Sequence, residues 1–533
     1  MTLPREQRIL EKNRRRFDAL VHALDSLSIK KDEALLARIQ HAVNFAVQND
    51  TGCFCSPEIE AKLCKIAQSL PDHNEKNPLP PGTILHVMTT AYRSGGHTRV
   101  VERWIANSPP EENHSVIIIN QEPKHFPSIL EELVTDHGGR LLQLPPVSQT
   151  KKGIILRALS RGASKIILHV HMYDPVPILA YGNPSFKVPV IFFNHADHLF
   201  WIGASITDLC ADMSLWRCAF SLRRRGITNV RLLPIPTDEG FANLPREEAR
   251  RTLGIAAEAR VIVTMAQEYK YSRYRELDFF SFLLRITTDH PERIVLAIGP
   301  SPTHPLWELM QRVSTGRIRP CGEIPYPHIG VYLCAADLYI ESFPFPSFTS
   351  LLDVANLGIP TLSLQLPLPH LDSIKASGTI CQTIDDLCHR IDAALLNTPS
   401  TTLMINAISL DHRREGWLTH LKALYNACPA THQVTKISAA SLDRSIGELE
   451  AYLHYLKVNL RGDHATLLRR QVTLFFELLR LMFHFSLFDT SGRLVLWHHL
   501  RKSVELLLNT FPKIASKCLG RKRKCERCLN EVS

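Results

Sequence analysis

Lys270 follows an apolar run, VIVTMA (261–266), and a later stretch, ESFPFPSFTSLLDVANLGIP (341–360), closes another apolar run with an acid before gathering Ser347, Thr349, Ser350 and Asp353. A lysine at a strand end offers a compact positive charge, and a charge-assisted hydrogen bond from it to an anion contributes about 1.5–3 kcal/mol. A helix that opens on hydroxyl residues presents unpaired N–H groups and the positive end of its dipole, which also suit an anion. The pair describes a clamp for a nucleotide diphosphate, with Lys270 and the helix amides on the phosphates and Asp353, one turn further in, accepting from ribose hydroxyls. The plainer reading is an acidic capping box, Ser350-x-x-Asp353, with Gly358 as the stop and Pro360 beyond.

A second set of residues lies in the first half of the chain. The run KIILHV (165–170) is followed by His171, Tyr173 and Asp174, and VPVIFF (188–193) by Asn194, His195, Asp197 and His198. An imidazole accepts a hydroxyl proton near neutral pH and a carboxylate orients it, so His171, His195, Asp197 and His198 are candidates for general-base work. These residue types also ligate metals, but no HExxH or comparable spacing accompanies them, and catalysis or substrate contact is the expectation over zinc. In TTAYRSGGHTR, Gly95 and Gly96 permit close backbone approach where a helix opens near His97, which suits a phosphate or an acceptor; a tight turn uses such a pair equally well.

Such residues need a scaffold that brings strand ends together. Short apolar runs alternate with helical segments at TILHVM (83–88), SVIIIN (115–120), KIILHV, VPVIFF and VRLLPI (230–235), and again at VIVTMA, RIVLAIG (293–299), DLYIES (337–342) and PTLSLQ (360–365). Unbroken apolar strands between helices indicate parallel sheets covered on both faces. The expected class is α/β, two tandem Rossmann-like domains with helical additions at both ends. The ranges are a helical region over 1–75, a first, acceptor-side domain over 83–238, a second, nucleotide-sugar-binding domain over 245–430, and a helical extension with a basic tail over 435–533. Ligands of open α/β sheets sit outside the carboxyl ends of the strands, so the candidate loops should share one interdomain cleft.

Composition narrows the partners. A chain of 533 residues is too long for one core. Its net charge of +10 is spread over small groups (Arg14–Arg16, Arg223–Arg225, Arg521–Lys524), so nucleic acid is not an expected partner, while phosphate-bearing ligands or an anionic membrane surface touched by the tail fit the charge. The amino terminus has no apolar signal region. The most apolar run, 471–488, is broken by Glu477, Arg480 and His484 and makes a poor membrane span. Thirteen cysteines, mostly isolated in apolar segments, read as buried thiols of a reducing compartment, so the expected location is cytoplasmic, with peripheral membrane contact through the tail. Cys525-x-x-Cys528 near Cys518 has metal-like spacing without a fourth ligand nearby, and no metal site is expected there.

With these residues in place the sequence resembles the GT-B glycosyltransferases, and in detail the O-linked N-acetylglucosamine transferase type and its bacterial cytoplasmic N-glycosyltransferase relatives. Gln267-x-Tyr269-Lys270 is similar to that family's Gln-x-Tyr-Lys after a strand. Glu341 with Pro344, Thr349, Ser350 and Asp353 is similar to its Asp…Pro…His-Thr-Thr-x-x-Asp arrangement, at the same spacing of twelve between the acids and with Phe348 in the histidine's place. The resemblance implies that Gln267 joins the donor site, that Lys270 contacts the diphosphate, that Thr349 and Ser350 bind phosphate oxygens and that Asp353 binds ribose. It covers roughly residues 260–365 closely and 83–235 only in architecture. It implies transfer of a sugar from a nucleotide-diphosphate donor, UDP-linked, to a protein or glycan acceptor, with inversion and without metal or other cofactor. A retaining GT-B transferase or epimerase of cell-surface polysaccharide synthesis stays open as an alternative, and so does a catalytically silent module.

Overall fold

The computed structural model describes residues 5–26, 32–73, 77–92, 96–121, 128–196, 198–237, 244–396, 410–460 and 480. Two parallel sheets organise them. The first has seven strands, β1 Thr83–Met88, β2 His114–Ile118, β3 Leu141–Gln143, β4 Ala163–His169, β5 Val190–Phe193, β6 Leu209–Asp212 and β7 Val230–Leu232, in the order β3-β2-β1-β4-β5-β6-β7. The second has six, β8 Arg260–Met265, β9 Arg293–Ile298, β10 Ile318–Gly322, β11 Leu338–Ile340, β12 Thr361–Leu364 and β13 Ile380–Cys381, in the order β10-β9-β8-β11-β12-β13. Each sheet grows outward on one side of its first strand and then switches to the other, between β1 and β4 and between β8 and β11. At such a switch the flanking loops diverge and open a crevice at the carboxyl ends.

The α/β class and the two Rossmann-like sheets are as the sequence implies. Every residue of β1, β2, β5, β6 and β9 is buried, which is why β1, β2, β5 and β9 read as unbroken apolar runs. Strands β3, β6, β10 and β13 had no counterpart in the sequence reading. LLQ, LCAD, IRPCG and IC are too short or too polar to carry a period, and only their neighbours in the sheet make them strands. VRLLPI is shorter than expected, ending at Leu232, because Pro234 cannot donate to the ladder.

The amino-terminal helices, Arg5–His22, Asp32–Asn49 and Pro57–Ser69, lie on the first sheet. Phe17, Ile39, Val43 and Leu63 join the same core as Leu85, Leu168 and Phe192. Glu60 ties the last of these helices to the turn after β5: its buried carboxylate accepts from the backbone N–H groups of Gly203 (2.7 Å), Ala204 (3.2 Å) and Ser205 (3.0 Å), and from the Ser205 hydroxyl. The helix Arg414–Ala427 returns to the first sheet, where Trp417 packs edge-on against Trp104 with ring centroids 5.8 Å apart. The helix Glu448–Leu460 anchors to the second sheet's loop through the Tyr452 hydroxyl, which donates to the Pro344 carbonyl. No helix among the described residues is long and apolar enough to cross a membrane. The 471–488 run apart from Arg480, the basic tail with its expected membrane contact, and Cys518, Cys525 and Cys528 lie outside the described residues.

Candidate functional site

The site is built on Glu341, directly after β11. Its carboxylate is buried and accepts from Ser342 N (2.8 Å) and Oγ (3.1 Å), Ser347 N (2.9 Å) and Phe348 N (3.0 Å). One side chain thereby satisfies the turn that leads into the helix Thr349–Asn356. Burial pushes the Glu341 carboxyl above its ordinary range, offset by the Ser347 N–H and the Lys270 charge.

This corrects the capping expectation. The residue before the helix is Phe348, with φ 46° and no side-chain cap, so Ser350 and Asp353 form no capping box. Phe348 instead packs its ring against His370 (5.9 Å) and beneath the Arg217 guanidinium (5.9 Å). Ser347 takes the hydroxyl role: its Oγ lies 3.2 Å from Ser350 Oγ, and Thr349 Oγ1 donates to the Ser347 carbonyl at 3.1 Å. Gly358 is the stop that the sequence suggested, with φ 75° and its N–H on the Ala355 carbonyl.

Lys270 comes from the short helical turn Glu268–Tyr271 after β8. Its Nζ lies 3.3 Å from both Ser347 Oγ and the Pro346 carbonyl, and 5.0 Å above the Phe345 ring. Loss of water around the ammonium pushes its pKa down to about 8, with Glu341 pulling the other way. Lys270, Ser347 and Ser350 therefore form one cluster at the carboxyl ends of β8 and β11. Gln267 is exposed and donates to Glu323 at 3.3 Å. Asp353 is buried, and its carboxylate receives Arg103 Nη2 at 2.8 Å from the helix Gly96–Asn107 of the first sheet.

The first sheet contributes the histidines. His198 sits edge-on to Phe345 (6.5 Å), which bridges the loops after β5 and β11. His171 Nε2 lies 2.9 Å from the Tyr92 hydroxyl, and His195 stacks 4.3 Å from His97. Burial pushes His195 well below the usual imidazole range, pushes His171 down as well, and takes His97 to about 4. Gly96 opens its helix with free space around it, while Gly95 and Asp197 lie outside the described residues. Asp174 is a structural acid, buried and held by Thr89 Oγ1 (2.7 Å) and Val176 N (3.0 Å). His86, His114 and His169, inside strands, were missed by the sequence reading. Their signal was one imidazole in each of three buried, mainly apolar strands. No group of three or more His, Cys, Asp or Glu among the described residues is arranged to hold a metal ion.

Two doubly wound parallel sheets in tandem, with the loops after β5 and β11 meeting, define a GT-B-like fold. No protein-family model matches the chain, and no curated protein matches its sequence. Solved structures similar to it include a glycosyltransferase from Rickettsia africae ESF-5, at 11% identity over 72% of this chain and 100% of the other, with a TM-score of 0.48. The O-GlcNAc transferase of Thermobaculum terrenum, in a mutant form, is similar at 11% identity over 78% of this chain and 81% of the other (TM-score 0.47). Anabaena HepE in complex with UDP is similar at 13% identity over 64% and 98% (TM-score 0.47). The fold rests on the strand order itself, and likenesses at these scores add no argument about activity.

Proposed function

We propose that the chain is a glycosyltransferase that moves a sugar from a nucleotide-diphosphate donor, a UDP-sugar, to a protein or glycan acceptor. The observation that carries this reading is the desolvated ammonium of Lys270 set against Ser347 and Ser350 at the entry of the helix Thr349–Asn356. A cation stripped of water beside hydroxyl donors and a helix amino end suits a diphosphate, whose charge grows as the bond to the sugar breaks. In this reading Lys270, Ser347, Thr349 and Ser350 hold the diphosphate. Gln267 and Gly95-Gly96 border the donor and acceptor, and Asp353 receives the ribose. His195 takes the acceptor proton, with His171 and His198 as the other candidate bases from the same loops. Displacement at the anomeric carbon would invert it, and the lysine with the helix end would do the charge neutralisation that other transferases assign to a metal. Neither step calls for a cofactor.

One observation favours a silent binding module instead: Asp353 is already engaged by Arg103. The test is UDP release from a panel of UDP-sugars by the purified protein beside Lys270→Ala, with circular dichroism on both. Sugar-dependent release that disappears in the variant supports the transferase. UDP binding without release under any acceptor supports the silent module, and no nucleotide binding at all ends both readings.

A further inference from the structure

Four histidines form one hydrogen-bonded row across the first sheet. His114 opens β2, His86 lies within β1, His169 ends β4, and His195 stands two positions beyond Phe193, the last residue of β5. The register pairs Ile84 with His114, His86 with Ile167 and Met88 with His169, so each step to the next strand advances two residues toward the carboxyl ends. A step of two keeps every ring on the same face. The rings meet head to tail: His114 Nδ1 to His86 Nε2 at 3.0 Å, His86 Nδ1 to His169 Nε2 at 3.1 Å, and His169 Nδ1 to His195 Nε2 at 2.9 Å. At the far end His114 Nε2 faces Glu112 Oε2 at 3.3 Å, and neither of these two atoms has a hydrogen-bond partner other than the other.

The surroundings are dry in the middle and open at both ends. His86, His114 and His169 are fully buried. Trp104 sits edge-on to His86 (5.7 Å) and His169 (5.6 Å), and Phe193 lies against His169 (5.6 Å) and His195 (4.7 Å). The Glu112 side chain is 28% exposed, and His195 is partly exposed. Burial pushes all four imidazoles below their ordinary range, so each is neutral and donates from one nitrogen while accepting at the other.

A carboxylate only accepts, and that fixes the direction of the row. With Glu112 accepting, His114 carries its proton on Nε2 and accepts at Nδ1, and the same assignment repeats through His86 and His169 to His195. We propose that Glu112, His114, His86 and His169 form a positioning and proton-relay chain that holds His195 as its Nε2–H tautomer and leaves Nδ1 to accept a proton. What His195 serves rests on the transferase reading above, while the chain itself does not. As an acceptor oxygen bonds to the anomeric carbon and the diphosphate leaves with the electrons of the broken C–O bond, the acceptor proton passes to His195 Nδ1. The Nε2 proton of His195 moves to His169 Nδ1, that of His169 to His86 Nδ1, that of His86 to His114 Nδ1, and that of His114 to Glu112. Glu112 becomes the acid and exchanges with solvent. Every ring ends neutral, so no imidazolium need form in the dry interior, where it would be expensive. A proton re-entering at Glu112 and leaving from His195 restores the starting tautomers.

The test is solid-state ¹⁵N NMR of the full chain with labelled histidine rings and no nucleotide present, the His195 signals being identified by their loss in His195→Gln. We expect His195 protonated on Nε2 in the wild type, and Glu112→Ala, at a partly exposed position, to move His195 toward the Nδ1–H tautomer. His195 protonated on Nδ1 in the wild type, or unmoved in Glu112→Ala, overturns the proposal. In the turnover assay the same variant should lower kcat about tenfold or more with the donor KM unchanged; an unchanged kcat overturns the relay. Because the tautomers are read without nucleotide, a protein that releases no UDP still answers the question, and Lys270→Ala still reports on the clamp alone.

Discussion

Arg103 and Asp353 join the two sheets: the guanidinium of one, from the helix after β1, meets the carboxylate of the other, from the helix after β11, at 2.8 Å. Both side chains are less than 10% exposed, and Arg103 also donates to the Pro236 carbonyl at 3.3 Å. The acid read from sequence as a ribose acceptor is thus one side of a buried ion pair between the halves of the protein.

Removing one partner of such a pair strands the other charge. Arg103→Ala should destabilise the protein by about 3–5 kcal/mol, and Arg103→Ala with Asp353→Ala by less than the sum of the single changes. Urea unfolding of the four proteins measures the coupling, and additive effects would show that the pair is not a linkage.

Lys270 should govern nucleotide affinity through its charge. Its pKa near 8 means that the ammonium is lost as pH rises through that value. UDP affinity should therefore fall between about pH 7 and pH 9 in the wild type, and the fall should be absent from Lys270→Ala, which binds about 10–100-fold more weakly at pH 7. Calorimetric titration across that range provides the comparison.

The same depressed pKa has the opposite sign for folding. The folded pKa lies near 8 and the unfolded value near 10.4, so the cost of holding a desolvated ammonium is present below pH 8 and relieved as pH rises toward 10.4. Lys270→Met should melt higher than wild type at pH 7, with the gap narrowing above pH 8. A gap constant in pH would mean that the charge is not what the fold carries as a cost.

Glu341 should prove structural where the resemblance aligns it with a site acid. Glu341→Ala leaves the N–H groups of Ser347 and Phe348 without their acceptor and should cost about 3 kcal/mol, whereas Glu341→Gln, which keeps a carbonyl oxygen, should cost less. Equal losses in chemical denaturation would argue that charge, not hydrogen bonding, is what Glu341 supplies.

The long strands were legible because burial on both faces leaves an unbroken apolar run that no packing detail alters; VIVTMA and TILHVM became β8 and β1 with at most one residue's shift. Short strands such as LCAD were not, since their pairing energy comes from neighbours. In the candidate cluster, Lys270 and Ser347 were legible because a charge or a hydroxyl beside a strand end stands out locally. Arg103 was not, because nothing in WIAN or its surroundings signals a partner 250 residues away. The capping box failed for a similar reason: Ser350 and Asp353 had the spacing, but Glu341 already held the amides of the preceding turn.

The sequence by itself determined the two alternating α/β halves and which strand ends carry charged, hydroxyl and imidazole side chains, because hydrophobic period and local residue type act over a few positions. Only the tertiary structure decided that Asp353 answers to Arg103 and that four histidines from four strand segments share one row. Those relations depend on strand order and on a two-residue offset in register, and no stretch of chain contains either.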